Sequence, residues 1–306
     1  MLYRPYSEFL THKYGEKVYK LPINLDVTCP NRDGTVGTEG CYYCSDLGTG
    51  YESLSSQLSV KEQLLQNMAY IGNKYRAKKF IAYFQNYTNT HMPLDVFKNW
   101  MVEACLDQVV ELAVSTRPDC ISQAYLEVLK DIYVTKGIEI TIELGLQTTN
   151  DESLVKVNRG HTVSDYVNAV TLIQKYPFEI CTHLILNLPW DSDEDILETA
   201  NLMNQLQMNQ IKLHALYIAK NTVFEKWYLD HLIQICSKDA YIQKVILFLE
   251  HLNDNIIVQR LIGRAPKEVT TFCNWDTSWW KIKDEIEAKM IEKKTFQGKF
   301  SKDIIS

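Results

Sequence analysis

The sequence predicts an α/β protein, a partial or full (β/α) TIM-like barrel of about six parallel strands with a mainly helical C-terminal extension. Three observations predict it. Apolar, β-branched runs of strand length alternate with stretches of helical period from Leu21 to Leu216. The polar residues with chemistry to offer fall where those runs end, which is where a barrel collects its site. After Tyr217 the alternation stops and amphipathic helical pattern takes over.

Taken in order, Ser7 to Tyr14 reads as a short lead-in helix and Leu21 to Val27 as the first strand. Ser59 to Arg76 carries a serine in N-cap position and apolar residues at helical spacing (Val60, Leu64, Leu65, Met68, Ile71). Lys79 to Phe84 is the second strand, Gln85 to His91 a polar loop, and Pro93 opens a helix reaching Leu106. Val109 to Ser115, Ile138 to Leu146, Glu179 to Leu188 and Gln210 to Leu216 supply the remaining strands. Helices over Ile121 to Thr135, Asp151 to Val157, Ser164 to Tyr176 and Asp193 to Gln207 connect them. Beyond that, Phe224 to Leu252 and Trp275 to Lys294 read as helical and Ile256 to Ile262 as one further strand. The expected division is a core over residues 1–216 and an extension over 217–306 packed upon it.

A chain of 306 residues buries a core of this size comfortably, and 46% hydrophobic with 23% charged content is that of a globular protein. A net charge of -6 argues against holding nucleic acid by bulk positive charge, though not against a local basic patch. Eight cysteines without an apolar leader read as reduced thiols, so a cytoplasmic protein with no membrane span is expected. The sequence carries no signal of oligomeric state.

The loop after the first strand, Cys29-Pro-Asn-Arg-Asp-Gly-Thr-Val-Gly-Thr-Glu-Gly-Cys41-Tyr-Tyr-Cys44, concentrates the chemistry. Thiolates this close on a Gly-rich loop point to a metal or cluster. A closed structural site needs four protein ligands, and this stretch offers three, so one metal position is left for a substrate or cofactor. Glu143 and Gln147, four apart on a strand, share a face. A carboxylate inside a barrel strand either contacts a ligand or sits in a buried ion pair.

With its long first gap, the cysteine loop resembles that of radical S-adenosylmethionine (AdoMet) enzymes of the YhcC/YtqA type, relatives of the elongator catalytic subunit. Tyr83-Phe-Gln-Asn-Tyr-Thr88, Thr116-Arg-Pro-Asp-Cys120, Glu143-Leu-Gly-Leu-Gln-Thr148, Asn158-Arg-Gly-His161, His183-Leu-Ile185 and Lys212-Leu-His214 extend the resemblance over most of the chain. It implies that Cys29, Cys41 and Cys44 ligate a [4Fe–4S] cluster whose free iron takes AdoMet. It further implies that Tyr43 lies against the adenine, that Gln85 and Tyr87 (with Thr88) meet the amino group, and that Arg159 meets the carboxylate. Glu143, Gln147 and Asn187 would complete the AdoMet site, and His183 and His214 would be the catalytic candidates. Cys120 and Cys181 also match family positions. Two segments depart: the family's Gly-Leu-Pro-Gly-Glu turn is here Asn187-Leu-Pro-Trp-Asp191, and where relatives often carry a histidine shortly after the sixth strand, Tyr217 directly follows Leu216.

The implied substrate is tRNA, with conversion of wobble 5-carboxymethylaminomethyluridine to 5-aminomethyluridine, and the implied reductant a flavodoxin or ferredoxin. Hydrogen abstraction from the glycine-like methylene, oxidation to an imine and hydrolysis would release the carboxymethyl unit as glyoxylate. Basic and aromatic residues interleave in the extension (Trp275, Trp279, Trp280, Lys281, Lys283, Lys289, Lys293, Lys294, Phe296, Lys299, Phe300, Lys302) and suit RNA, although neighbouring acids nearly cancel the lysines. Arg260 and Arg264 would contact an anionic substrate if their strand lines the mouth. Two alternatives stay open: a radical AdoMet enzyme acting on a small molecule or peptide, and a non-catalytic RNA-binding or scaffold protein with structural zinc.

Overall fold

The computed structural model describes residues 1–45 and 53–301. Lys302 lies outside them. The element order is α1 (Tyr6–Tyr14), β1 (Val18–Ile23), α2 (Val60–Tyr75), β2 (Lys79–Phe84), α3 (Leu94–Glu103), β3 (Val109–Thr116), α4 (Gln123–Lys136) and β4 (Glu139–Gln147). There follow α5 (Asp151–Lys156), α6 (Val163–Ile173), β5 (Glu179–Ile185), α7 (Asp193–Gln205) and β6 (Gln210–His214). The C-terminal part adds β7 (Ile218–Ala219), α8 (Val223–Leu229), α9 (Lys238–His251), β8 (Ile257–Arg260), β9 (Thr270–Phe272) and α10 (Trp279–Glu292).

Seven strands form one parallel sheet in the order β1-β2-β3-β4-β5-β6-β8, a curled half-barrel. The further strand expected near residue 256 is thus the seventh member of this sheet, beside β6. Among the described residues its two outer strands, β1 and β8, do not pair with each other. The first residues of the chain cross that gap: Pro5 bridges Val258, the Val258 N–H donates to Arg4 O, and the Gln297 N–H donates to Leu2 O.

Side-chain alternation explains what faces where. On β1, Leu21 and Ile23 are fully buried in the apolar layer under the helices, whereas Val18, Lys20 and Pro22 face the hollow of the sheet. On β6, Ile211 and Leu213 enter the same layer while Lys212 and His214 face the hollow. On β4, Ile140, Ile142 and Leu144 are apolar-layer residues and Glu143 and Gly145 face inward. One face of the sheet is therefore a dry aliphatic core and the other a polar chamber.

The helices are tied down as their sequences prescribe. Ser59 caps α2 with a full capping box to Glu62, and Thr162 and Ser192 do the same for α6 and α7 through Asp165 and Asp195.

Several boundaries differ from expectation. The first strand begins at Val18 and ends at Ile23, because its pairing register runs from Val18–Lys79 to Ile23–Phe84. From Asn24 onward the chain leaves the sheet, its N–H and C=O taken by the side chain of Gln63 on α2. The fifth and sixth strands end at Ile185 and His214, earlier than their apolar runs. The stretch expected to be helical over 224–252 is two helices, and the antiparallel β7–β9 ribbon was not expected at all. No helix among the described residues is long and apolar enough to cross a membrane.

Candidate active site

The chamber opens into a cavity of about 660 Å³. Cys29, Cys41 and Cys44 all line it, and so do Tyr43, Gln85, Tyr87, Thr88, Glu143, Gln147, Arg159, His183 and His214. Asn187 is the one sequence-chosen site residue outside the lining. It is buried, and its carboxamide oxygen accepts the Leu216 N–H at 2.7 Å, tying the ends of β5 and β6 together. The departing turn has a structural use of its own: Trp190 stacks edge-on against Phe224 and Trp227, an aromatic cluster roofed by α8.

The cysteine loop is braced by its own backbone and by the loop after α5. The N–H groups of Arg32 and Asp33 turn back onto Cys29 O, and the Cys44 N–H donates to Cys41 O at 2.9 Å. Asn31 Nδ2 donates to Asn158 O (2.6 Å), and Asn158 Nδ2 returns a bond to Gly40 O (2.8 Å). Gly160 follows at a φ of 74°, where a Cβ would lie 2.9 Å from Val36 and 3.2 Å from Asn31 Oδ1. The Asn-Arg-Gly-His motif thus clamps the cysteine loop.

Three arginines surround the thiols. Arg159 is buried, its Nη1 lies 3.5 Å from Cys41 Sγ, and its Nη2 donates to Gly145 O at 2.7 Å. Its Nε is buried without a partner. A Cβ at Gly145 would stand 2.6 Å from Arg159 Nη2, so only glycine lets the guanidinium lie across β4. Arg117, also buried, pairs with Asp119 and donates to Arg159 O. Arg32 reaches Cys44 O and Ser45 O. Burial raises the Cys41 thiol, but the guanidinium of Arg159, with Arg117 behind it, outweighs burial and holds it below its ordinary value. Burial pushes Cys44 up to about 11, with Cys41 adding to the rise. His161 sits behind Arg159, with Nε2 3.1 Å from Gly145 O. Burial and the two arginines push it down to about 3, so it is neutral.

This donor set fits an anionic, three-thiolate metal–sulfur group. Three sulfurs converge on one cavity, cations stand ready for their charge, and an unpartnered buried N–H of Arg159 marks a ligand position. Gln147 reaches the cavity through a β4 bulge that puts it at φ 82°, and Tyr87 sits at φ 51° beside the Arg32 guanidinium. Non-glycine residues held in that region collect at ligand sites.

Deeper in the chamber a polar network joins five strands. Glu143 is buried and accepts from Lys20 on β1, from Lys212 Nζ (2.8 Å) on β6 and from His183 Nε2 (2.7 Å) on β5. Lys212 also donates to Tyr83 Oη on β2 at 2.8 Å. Burial opposes charge on Glu143, but Lys20 and Lys212 hold it well below the usual carboxylate range. Burial, helped by Lys212, pushes His183 down to about 4. His214 stacks on His183 and accepts at Nδ1 from Arg260 Nη2 at 2.7 Å. Sequence reasoning singled out Glu143, His183 and His214 but not Lys20, Lys212, Arg117 or Tyr83. The motifs held the last three; Lys20 had no signal beyond being a charge next to an apolar run.

Comparison with known proteins agrees with this geometry. Residues 31–203 match the Radical SAM superfamily and residues 208–292 the Radical_SAM C-terminal domain. The chain is 31% identical to YtqA of Bacillus subtilis over 97% of its own length and 92% of that protein. It is 32% identical to YhcC of Escherichia coli over 92% and 90% of the two chains. Part of it, 41%, is 28% identical to 27% of a tRNA uridine(34) acetyltransferase of Dehalococcoides mccartyi. In fold it is similar to Elp3 of Methanocaldococcus infernus, with a TM-score of 0.66 at 15% identity, covering 92% of this chain and 64% of that one. The chain therefore belongs to the radical SAM superfamily of enzymes, whose cofactors are a [4Fe–4S] cluster and S-adenosylmethionine.

Proposed function

We propose that Cys29, Cys41 and Cys44 hold the cluster with one iron open, and that Tyr43, Gln85, Tyr87, Gln147 and Arg159 bind AdoMet beside it. The reaction we assign is the conversion of wobble 5-carboxymethylaminomethyluridine to 5-aminomethyluridine in tRNA. The observation that carries the reading is the single cavity shared by the three thiols, the buried arginine and the polar strand ends. When bound, the cluster supplies the electron that splits AdoMet into methionine and a 5′-deoxyadenosyl radical.

Around that chemistry the chain's own residues have separate tasks. Arg159 offers a fixed, charged fork and balances the Cys41 thiolate. The aliphatic layer behind the sheet and the chamber's curled walls keep stray water and hydrogen donors away. Glu143 is saturated by Lys20, Lys212 and His183, so its task is to position those groups rather than to meet AdoMet.

The tRNA substrate is supported by the partial likeness to a tRNA uridine(34) acetyltransferase and by the cavity rim, where Trp279 is 40% exposed and Lys283 stands one turn further along α10. An exposed indole and a lysine suit a splayed base and its phosphate. On this reading residues 217–306 form the substrate-facing extension, adding β8 to the sheet and α10 to the rim. A flavodoxin or ferredoxin would deliver the electron, and the cytoplasm is where such a tRNA enzyme works.

The test is anaerobic reconstitution with iron and sulfide, followed by EPR of the reduced protein with and without AdoMet. A cluster signal that changes shape on adding AdoMet is expected. Incubation with tRNA should then convert carboxymethylaminomethyluridine to aminomethyluridine in a nucleoside digest. Bound zinc without labile sulfide would leave the cysteines a structural role. AdoMet cleavage with unchanged tRNA would move the substrate to a small molecule or peptide.

A further inference from the structure

The cavity is far more positive than the chain that forms it. Although the chain carries a net charge of -6, the lining holds Lys20, Arg32, Arg117, Arg159, Lys212, Arg260, Arg264 and Lys283 against one carboxylate, Glu143. Arg32, Arg117 and Arg159 belong to the cysteine loop and its clamp. Across the chamber, on β1, β6 and β8, Lys20 and Lys212 share Glu143. Of the others, Lys283 pairs with Glu287 on its own helix, whereas the Nη2 of Arg260 donates to the neutral ring of His214 and its Nε is buried without a hydrogen-bond partner. Among the described residues no carboxylate lies within ion-pair distance of it.

A half-buried guanidinium whose Nε is fully shielded is costly without a counterion unless something completes it. Its surroundings are built to leave room. Gly263 contributes no Cβ where one would lie 3.0 Å from Arg260 Nη2 and 3.5 Å from His214 Nδ1. Lys212, tied to Glu143, stands on the neighbouring strand β6 and adds to the positive field.

We propose that Arg260, with Lys212 and His214 beside it, forms a subsite for a carboxylate carried by the substrate into the chamber. The proposal rests on the function assigned above and deepens it. The site selects the substrate by the acid group that the reaction removes, and the product amine, lacking that acid, is released. A planar carboxylate matches a guanidinium fork through two parallel N–H···O bonds. The same anion has a second source, the methionine carboxylate of AdoMet, and the experiment separates the two.

Binding is measured by calorimetry on the reconstituted full-length protein without reductant. The probes are 5-carboxymethylaminomethyluridine, its methyl ester, N-ethylglycine, N-ethylglycinamide and AdoMet. The acid nucleoside should bind about tenfold or more tightly than its ester, as expected for a charge-assisted pair. Arg260→Gln should erase that preference and Arg260→Lys retain part of it, with AdoMet affinity unchanged within about twofold. Circular dichroism confirms that both variants fold. If the nucleosides fail to bind while N-ethylglycine is preferred over its amide in an Arg260-dependent way, the carboxylate subsite stands and the uridine assignment falls. Equal binding of acid and neutral probes, a preference that survives Arg260→Gln, or no binding of any probe overturns the subsite. So does an Arg260→Gln variant that loses AdoMet affinity alone, which would give the arginine to AdoMet.

Discussion

Burial keeps two histidines of the site, His183 in the chamber and His161 behind Arg159, uncharged. His161 is pushed to about 3 and His183 to about 4, whereas both titrate near 6.5 in an unfolded chain. The depressed values mean that the unfolded chain binds the extra protons first as pH falls. The stability these residues contribute is therefore complete above about pH 7 and is lost progressively as pH drops toward about 4 for His183 and about 3 for His161. Each should cost about 2 kcal/mol between pH 7 and pH 5, seen in urea denaturation curves at the two pH values and reduced in a His161→Asn variant. Residues of this kind were only partly legible in the sequence. The thiols and Arg159 announced themselves through motifs, and Glu143 was readable as an inward carboxylate that needed a partner. Its partners were not readable. Lys20, Lys212 and His183 come from three strands separated by up to 192 positions from first to last, and only the curl of the sheet brings them to one carboxylate.

Elements position these residues through their ends more than through their middles. Except for Arg159, every cofactor candidate that lines the cavity sits on an inward strand position or on the loop that follows a strand; the loop after α5 supplies Arg159 and holds the cysteine loop. Gly160→Ala tests that clamp. Its φ of 74° and the closeness of Val36, Asn31 and Arg117 predict a loss of about 1–3 kcal/mol. The variant should also retain less iron per chain after reconstitution, because Asn31 and Arg117 are the braces displaced. A normal iron content at reduced stability would separate the two roles. Strand interiors were easy to find because alternation and β-branching persist there. Strand ends were harder: the apolar run Leu21 to Val27 outlasts β1, since Leu25 and Val27 bury themselves against the helix layer without pairing in the sheet. The β7–β9 ribbon escaped notice because a strand of two residues has no period to detect.

For the whole molecule, the polar chamber gathers positive charge in a chain whose net charge is -6. On the reading proposed above, a cluster on the thiolates and an anion at Arg260 would balance the positive charge of its two walls. Ligands that bind only the folded chain raise its stability by mass action. Adding AdoMet to the reconstituted protein at about a hundredfold over its Kd should stabilise it by about 2.7 kcal/mol, read as a rise in Tm by scanning calorimetry. A Cys41→Ala variant treated in the same way should show no such rise. The overall architecture was predictable from the repeated alternation, whereas the seventh strand's place beside β6 was not, since β8 arrives only after α8 and α9.

The N-terminal segment that laces β1 to β8 gives this architecture a clock. Arg4 donates to Asn255 O across 251 positions, and its neighbours pair with Val258 and Gln297. On a ribosome, the first dozen residues emerge long before the strand they must join. For most of synthesis they wait beside an unfinished sheet whose last edge has yet to be made. Closure of the chamber then comes only after β8 and Gln297 have been made, and until that point a nascent chain has no finished pocket in which to assemble its iron.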